Sequence, residues 1–157
     1  MLRLSKKTDY GLLALQYLAH VAPSGVASAR AIAERYDIPV ELLAKVLQHL
    51  ARFGFVAAQK GAHGGYQLAR PAASISLADI VEAIDGPFAI TACGRQDERC
   101  DQYESCTVRD PLWRVKDRIL TVLQTTTLAE MGEEGDSRVP VTVTKGGAGG
   151  SVPVETS

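Results

Sequence analysis

Cysteine is scarce in this chain: three among 157 residues. An odd and small number speaks against a disulfide-stapled secreted fold and for thiols that stay reduced. Long apolar runs are missing. No stretch approaches the length of a membrane-spanning helix, and the basic start lacks the apolar run of a signal peptide. A cytoplasmic protein with no membrane partner is expected. Motifs of catalysis are missing as well. There is no phosphate-binding loop, metalloprotease signature or nucleophile elbow. The cysteines and His63 offer the side chains of a nucleophile and base, but a whole helix separates them, so no enzyme is expected.

Net charge is nearly absent, at −1, yet it is unevenly spread. Residues 1–71 hold nine Lys or Arg against four Asp or Glu; residues 72–157 hold eight against fourteen. A basic first half points to a polyanion-binding module, unless the partition is chance on a solvated surface.

What is present is concentrated. Cys93, Cys100 and Cys106 fall within fourteen residues, separated by six and then five polar positions. Free cysteine usually packs in cores. Three in a polar loop read as ligands of a soft metal centre. Iron in a cluster prefers thiolate sulfur, and a polar loop can wrap one without burying unsatisfied backbone. Zinc is the rival, although its cysteine pairs usually stand closer together. A metal-free thiol switch is the third reading.

Around this loop the chain reads as mainly α with a β-hairpin wing. Ser5 or Thr8 caps a first helix, with Tyr10, Leu13, Ala14, Tyr17, Leu18 and Val21 at helical spacing. Ser28 caps a second over 29–36. Pro39 opens a third, with Leu42, Leu43, Val46, Leu47 and Leu50 as its buried stripe. Strands over 55–59 and 66–69 flank the glycine-rich tip 60–65. Ser76 and Asp79 start a fourth helix, stopped by Asp85-Gly86-Pro87. Asp110 caps a long helix whose apolar stripe (Leu112, Val115, Ile119, Val122, Leu123) has no later element to cover it. A second copy of the chain would bury it. The boundaries are 1–87 for a winged helix-turn-helix domain, 88–109 for the cysteine loop, 110–131 for a dimerisation helix and 132–157 for a disordered tail.

A short turn between helices two and three, followed by a hairpin, is the arrangement that binds double-stranded DNA. Pro39 and Glu41 sit at the end of the third helix that normally meets bases. Lys45, Gln48, His49 and Arg52 follow on its polar face; Gln can pair with adenine, and Lys can reach guanine or phosphate. Lys60 and His63 occupy the wing, where Gly61, Gly64 and Gly65 would let backbone approach a phosphate. An ordinary solvated face is the bland alternative. His63 either contacts DNA or fills the turn, and His20 and His49 read as structural residues.

These residues carry a resemblance. The opening Met1-Leu2-Arg3-Leu4-Ser5-Lys6-Lys7-Thr8-Asp9-Tyr10-Gly11, the wing from Gly61 to Pro71 and the stretch from Ile75 to Pro87 resemble the iron–sulfur-sensing winged-helix repressors. The likeness covers residues 1 to about 131 and is greatest to the Suf-type assembly regulators, given the three-cysteine loop and the ending Thr127-Leu128-Ala129-Glu130-Met131. It implies a homodimeric repressor of iron–sulfur assembly genes. Its operator affinity would depend on a cluster, 2Fe-2S in preference to 4Fe-4S, held by Cys93, Cys100 and Cys106. The Isc-type members carry a histidine three residues after the last cysteine; Arg109 stands here instead and, always protonated, cannot ligate. Asp9 is the favoured fourth ligand, because nitric-oxide-sensing relatives use an acidic residue of the partner's first helix. A helix-end charge is its plainer role, and loop carboxylates, water or a small thiol are the other ligands.

Overall fold

The computed structural model describes residues 4–21, 25–91 and 101–133. Cys93, Cys100 and the proposed tail from residue 134 lie outside these.

α1 (Lys6–Gln16) begins where Ser5 turns extended and its hydroxyl accepts the Thr8 backbone N–H at 3.2 Å. A π-helical turn, Tyr17–Val21, continues it. Ser28 caps α2 (Ala29–Tyr36) in the same way, through the Ala31 N–H. Asp37 ends α2 in a left-handed conformation, φ 52°. α3 (Val40–Arg52) follows after Ile38 and Pro39, and Pro39 is its cap rather than its first helical residue.

β1 (Val56–Gln59) pairs antiparallel with β2 (Gly65–Leu68), Val56 opposite Leu68 and Gln59 opposite Gly65. Ala27 adds an isolated bridge on the other edge of β2 by exchanging backbone hydrogen bonds with Tyr66. α4 (Leu77–Asp85) starts with a reciprocal capping box between Ser76 and Asp79. α5 (Arg109–Thr125) and the short α6 (Leu128–Glu133) complete the described chain.

Leu15, Ile32, Leu43, Leu47, Leu50 and Ile80 are fully buried and join α1 to α4 in one core. This core makes the helix-turn-helix and the wing a single packed unit.

Four further expectations are corrected. Leu42 is not buried but 47% exposed, because the core-facing stripe of α3 begins at Leu43. Asp110 does not cap α5: its carboxylate accepts from the Arg109 guanidinium at 2.8 Å, and the helix starts at Arg109. The long helix does not reach residue 131. Thr127 donates its backbone N–H and its hydroxyl to Glu130, which starts α6, and Leu128 donates its N–H to Ile75 O. Leu128 is thereby fully buried in the core. Residues 132 and 133, expected in the tail, belong to α6.

Candidate DNA-binding face and cysteine loop

Glu41, Lys45, Gln48 and Arg52 are all exposed. Their steps of four, three and four residues place them on one face of α3. Leu43, Val46, Leu47 and Leu50 bury the opposite face. Pro39 is exposed at the N-terminal end, beside Val40 at 41% exposure. His49 lies between the two faces. Its Nε2 pairs with the Ala83 carbonyl at 2.7 Å, and its ring lies 5.0 Å from that of Phe53. It ties α3 to α4, the structural role expected of it. α3 is therefore rigidly held with its polar face outward, which a recognition helix requires.

Lys60 and His63 are exposed at the wing tip. The glycines there have a local explanation. A Cβ on Gly64 would lie 2.5 Å from the Gln59 carbonyl oxygen, and one on Gly65 would overlap the Ala27 carbonyl. Gly65 thus permits the close Ala27–Tyr66 pairing that fastens the wing to the chain before α2.

Cys106 is half-buried and free, just ahead of α5. Arg109, the position of the family histidine, holds the second half of the loop. Its guanidinium stacks 4.4 Å from the Tyr103 ring centre and donates to the Tyr103 carbonyl at 3.0 Å. The hydrogen bond to Asp110 lifts the Arg109 pKa above its ordinary value and lowers that of Asp110. Asp9 is exposed in the first turn of α1. Among the described residues no three His, Cys, Asp or Glu side chains converge. Cys93 and Cys100 lie outside them.

Composition missed one feature that the fold creates. Lys6 and Lys7, at the start of α1, come beside Lys45 of α3 around a shared cleft. The adjacent lysine pair is visible in the chain; its neighbour across 38 residues is not.

Three helices running into a two-stranded wing define a winged-helix DNA-binding protein. The chain belongs to the Rrf2 family, described as iron-dependent transcriptional regulators, whose model matches residues 4–134. Solved structures agree. The chain is 29% identical to CymR, the global cysteine regulator of B. subtilis, with a TM-score of 0.73 over 87% of this chain and 100% of that one. T. potens IscR is also 29% identical, with a TM-score of 0.67 over 89% of this chain and 94% of that one. Staphylococcus aureus CymR is 32% identical, with a TM-score of 0.64 over 82% of this chain and 97% of that one. The protein is a transcriptional regulator and not an enzyme. No helix among the described residues is long and apolar enough to cross a membrane.

Proposed function

We propose that this regulator is a cytoplasmic homodimeric repressor of iron–sulfur assembly genes whose grip on its operator is set by an iron–sulfur cluster at Cys93, Cys100 and Cys106. One observation carries the reading. Cys106 stands three residues ahead of Arg109, where α5 begins, and α5 has no buried residue along its 17 positions. Val115 and Val122 are 46% and 62% exposed, so the helix needs a partner. A second copy supplies one, and the cysteine loop then feeds directly into the dimer contact.

The donor set suits the group. Thiolates are the ligands that iron–sulfur clusters take, and residues 101–105 of the loop are exposed and polar, leaving room around Cys106. When bound, the cluster supplies a local charge that changes with its redox state. The chain's own residues do the rest. Asp9 of the partner subunit completes the ligand set, with 2Fe-2S preferred. Arg109 anchors the loop through Tyr103. A shift of the loop moves α5 and resets the spacing of the two recognition helices. Pro39, Glu41, Lys45, Gln48 and Arg52 meet the major groove, and Lys60 and His63 meet the adjoining backbone. The working units are 1–87 for DNA, 88–109 for the cluster and α5 for the dimer, with α6 reassigned to the core. The Suf-type likeness rests on the three-cysteine loop and on Thr127 to Met131.

Anaerobic purification tests this. The protein should be brown, with iron and labile sulfide, and Cys93→Ala, Cys100→Ala and Cys106→Ala should each remove the colour. Colourless protein with stoichiometric zinc would overturn the proposal. A second reading, a cluster-free thiol switch, draws support from the S. aureus CymR structure of an oxidized form, 30% identical. It predicts colourless, metal-free protein whose operator affinity changes on thiol oxidation.

A further inference from the structure

A cleft of about 650 Å³ opens between α1, α3 and the end of α4. Its floor is mostly apolar, with Tyr10, Val46 and Ile84 beside the half-buried His49, and the exposed Leu42 forms one lip. Its rim is cationic, with Lys6, Lys7 and Lys45 converging from two helices. Among the described residues no ion pair engages any of the three. The charge of Lys7 acts on Asp85, a carboxylate that already accepts from Ser5 and Thr8. Gly11 shapes the floor. A Cβ there would come 2.6 Å from Ile84 Cδ1, so any side chain would drive Ile84 outward.

We propose that this cleft binds a small amphipathic organic anion, a carboxylate or sulfonate on an apolar body, and that the bound anion weakens operator binding. The size and lining are those of small-molecule sites: concave, mostly apolar, with a few convergent polar groups. Three like charges at one rim repel each other, and an anion relieves that repulsion. The apolar floor asks for an apolar body at the same time. A DNA phosphate satisfies the rim alone, since a duplex backbone is convex and polar and leaves Tyr10, Val46 and Ile84 wet. Lys45 is common to the cleft and to the DNA face. The anion and the operator therefore compete for it, and linkage makes the antagonism reciprocal. The antagonism rests on the DNA-binding reading; the binding itself does not.

The test uses the full chain and two probes: anilinonaphthalene sulfonate by fluorescence, and octanoate against its uncharged counterpart octanamide by displacement. Octanoate should displace the dye and octanamide should not. The Lys6→Gln/Lys7→Gln double variant should bind both anions about tenfold more weakly, the sum of two exposed ion pairs. Leu42→Trp, at an exposed position that tolerates bulk, should fill the cleft and abolish binding while the melting temperature holds. Octanoate should then lower operator affinity in the parent but not in Leu42→Trp. Equal displacement by octanamide, or unchanged binding in both variants, would overturn the site. So would weaker operator binding and a shallower salt slope in the lysine variant with no anion bound, which would make the rim a DNA backbone contact. Self-association lost in Leu42→Trp, again with no anion bound, would assign the cleft to a second copy. Anion binding without any effect on a demonstrated operator would overturn the antagonism alone.

Discussion

The carboxylate of Asp85 accepts the hydroxyl of Thr8 at 2.8 Å, joining the last residue of α4 to the first turn of α1. The backbone N–H of Ser5 donates to the same group at 3.0 Å, and its hydroxyl adds a further bond. Thr8 is fully buried; its hydroxyl meets Asp85 at 2.8 Å and, more weakly, the Ser5 hydroxyl at 3.4 Å. Burial alone would raise the Asp85 pKa. The hydrogen bonds from Ser5 and Thr8, with the charge of Lys7, outweigh it and hold the carboxyl below its ordinary value. The ionised form is the one the fold prefers. Its contribution is present above the unfolded carboxylate value of about 3.9 and is lost as pH falls through the lower folded value. Asp85→Ala should cost about 1–3 kcal/mol, because it removes the bonds from Ser5 and leaves the buried Thr8 hydroxyl only its long contact to Ser5. Urea melts at neutral pH check the cost, and the gap between parent and variant should narrow in acid.

The DNA face separates into two kinds of contact. Lys60→Ala should weaken binding to every sequence and flatten the log-log salt dependence by about one unit, the signature of a lost phosphate contact. Gln48→Ala should relax discrimination at one base position by about 1–3 kcal/mol. Affinity measurements over a salt series and a set of single-base operator variants resolve both. Parental behaviour in both variants would move the interface off α3 and the wing.

Asp9 offers a cleaner test of cluster ligation than the cysteines, because it is exposed and its loss leaves the core intact. With Asp9 as a ligand, Asp9→Ala should fold normally yet lose its colour faster in air, or show an altered absorption spectrum and reduction potential. A parental spectrum and cluster lifetime would reduce Asp9 to a charge that stabilises the positive end of α1.

Leu128 is fully buried, and α6 is also tied to α1 where the Gln16 side-chain amide donates to the Met131 carbonyl at 2.9 Å. Leu128→Ala should cost about 2–5 kcal/mol, the usual range for emptying a packed leucine site. Deleting residues 134–157 should leave the melt and the cluster unchanged, whereas deleting from residue 127 should lower stability by at least as much as the point variant. Thermal melts of the three proteins rank them.

The local grammar of this chain determined much of its fold. Ser28 before Ala29, and Ser76 three residues before Asp79, are caps that act within one turn, so those helix starts were legible. The buried stripe from Leu43 to Leu50 was legible for the same reason, since helical period alone puts those residues on one face. So was the exposed row Glu41, Lys45, Gln48 and Arg52. Thr127 and Glu130 also form a capping pair, but an apolar stripe reaching toward it read as one continuous helix. Only tertiary structure revealed that Leu128 turns back into the core, where it replaces contact with water by contact with Ile75 and its neighbours. Asp110 was misplaced because Arg109, next to it, claims its carboxylate. Gln59, which crowds position 64, belongs to the same hairpin, whereas the glycine at 65 answers to the carbonyl of Ala27, which the sequence does not place nearby. The meeting of Lys6 and Lys7 with Lys45 belongs to the same class. Caps and periods are set by atoms a few residues apart and can be read in order. A cleft shared by two helices is set by which apolar faces pack together, and that choice is made by the whole core at once.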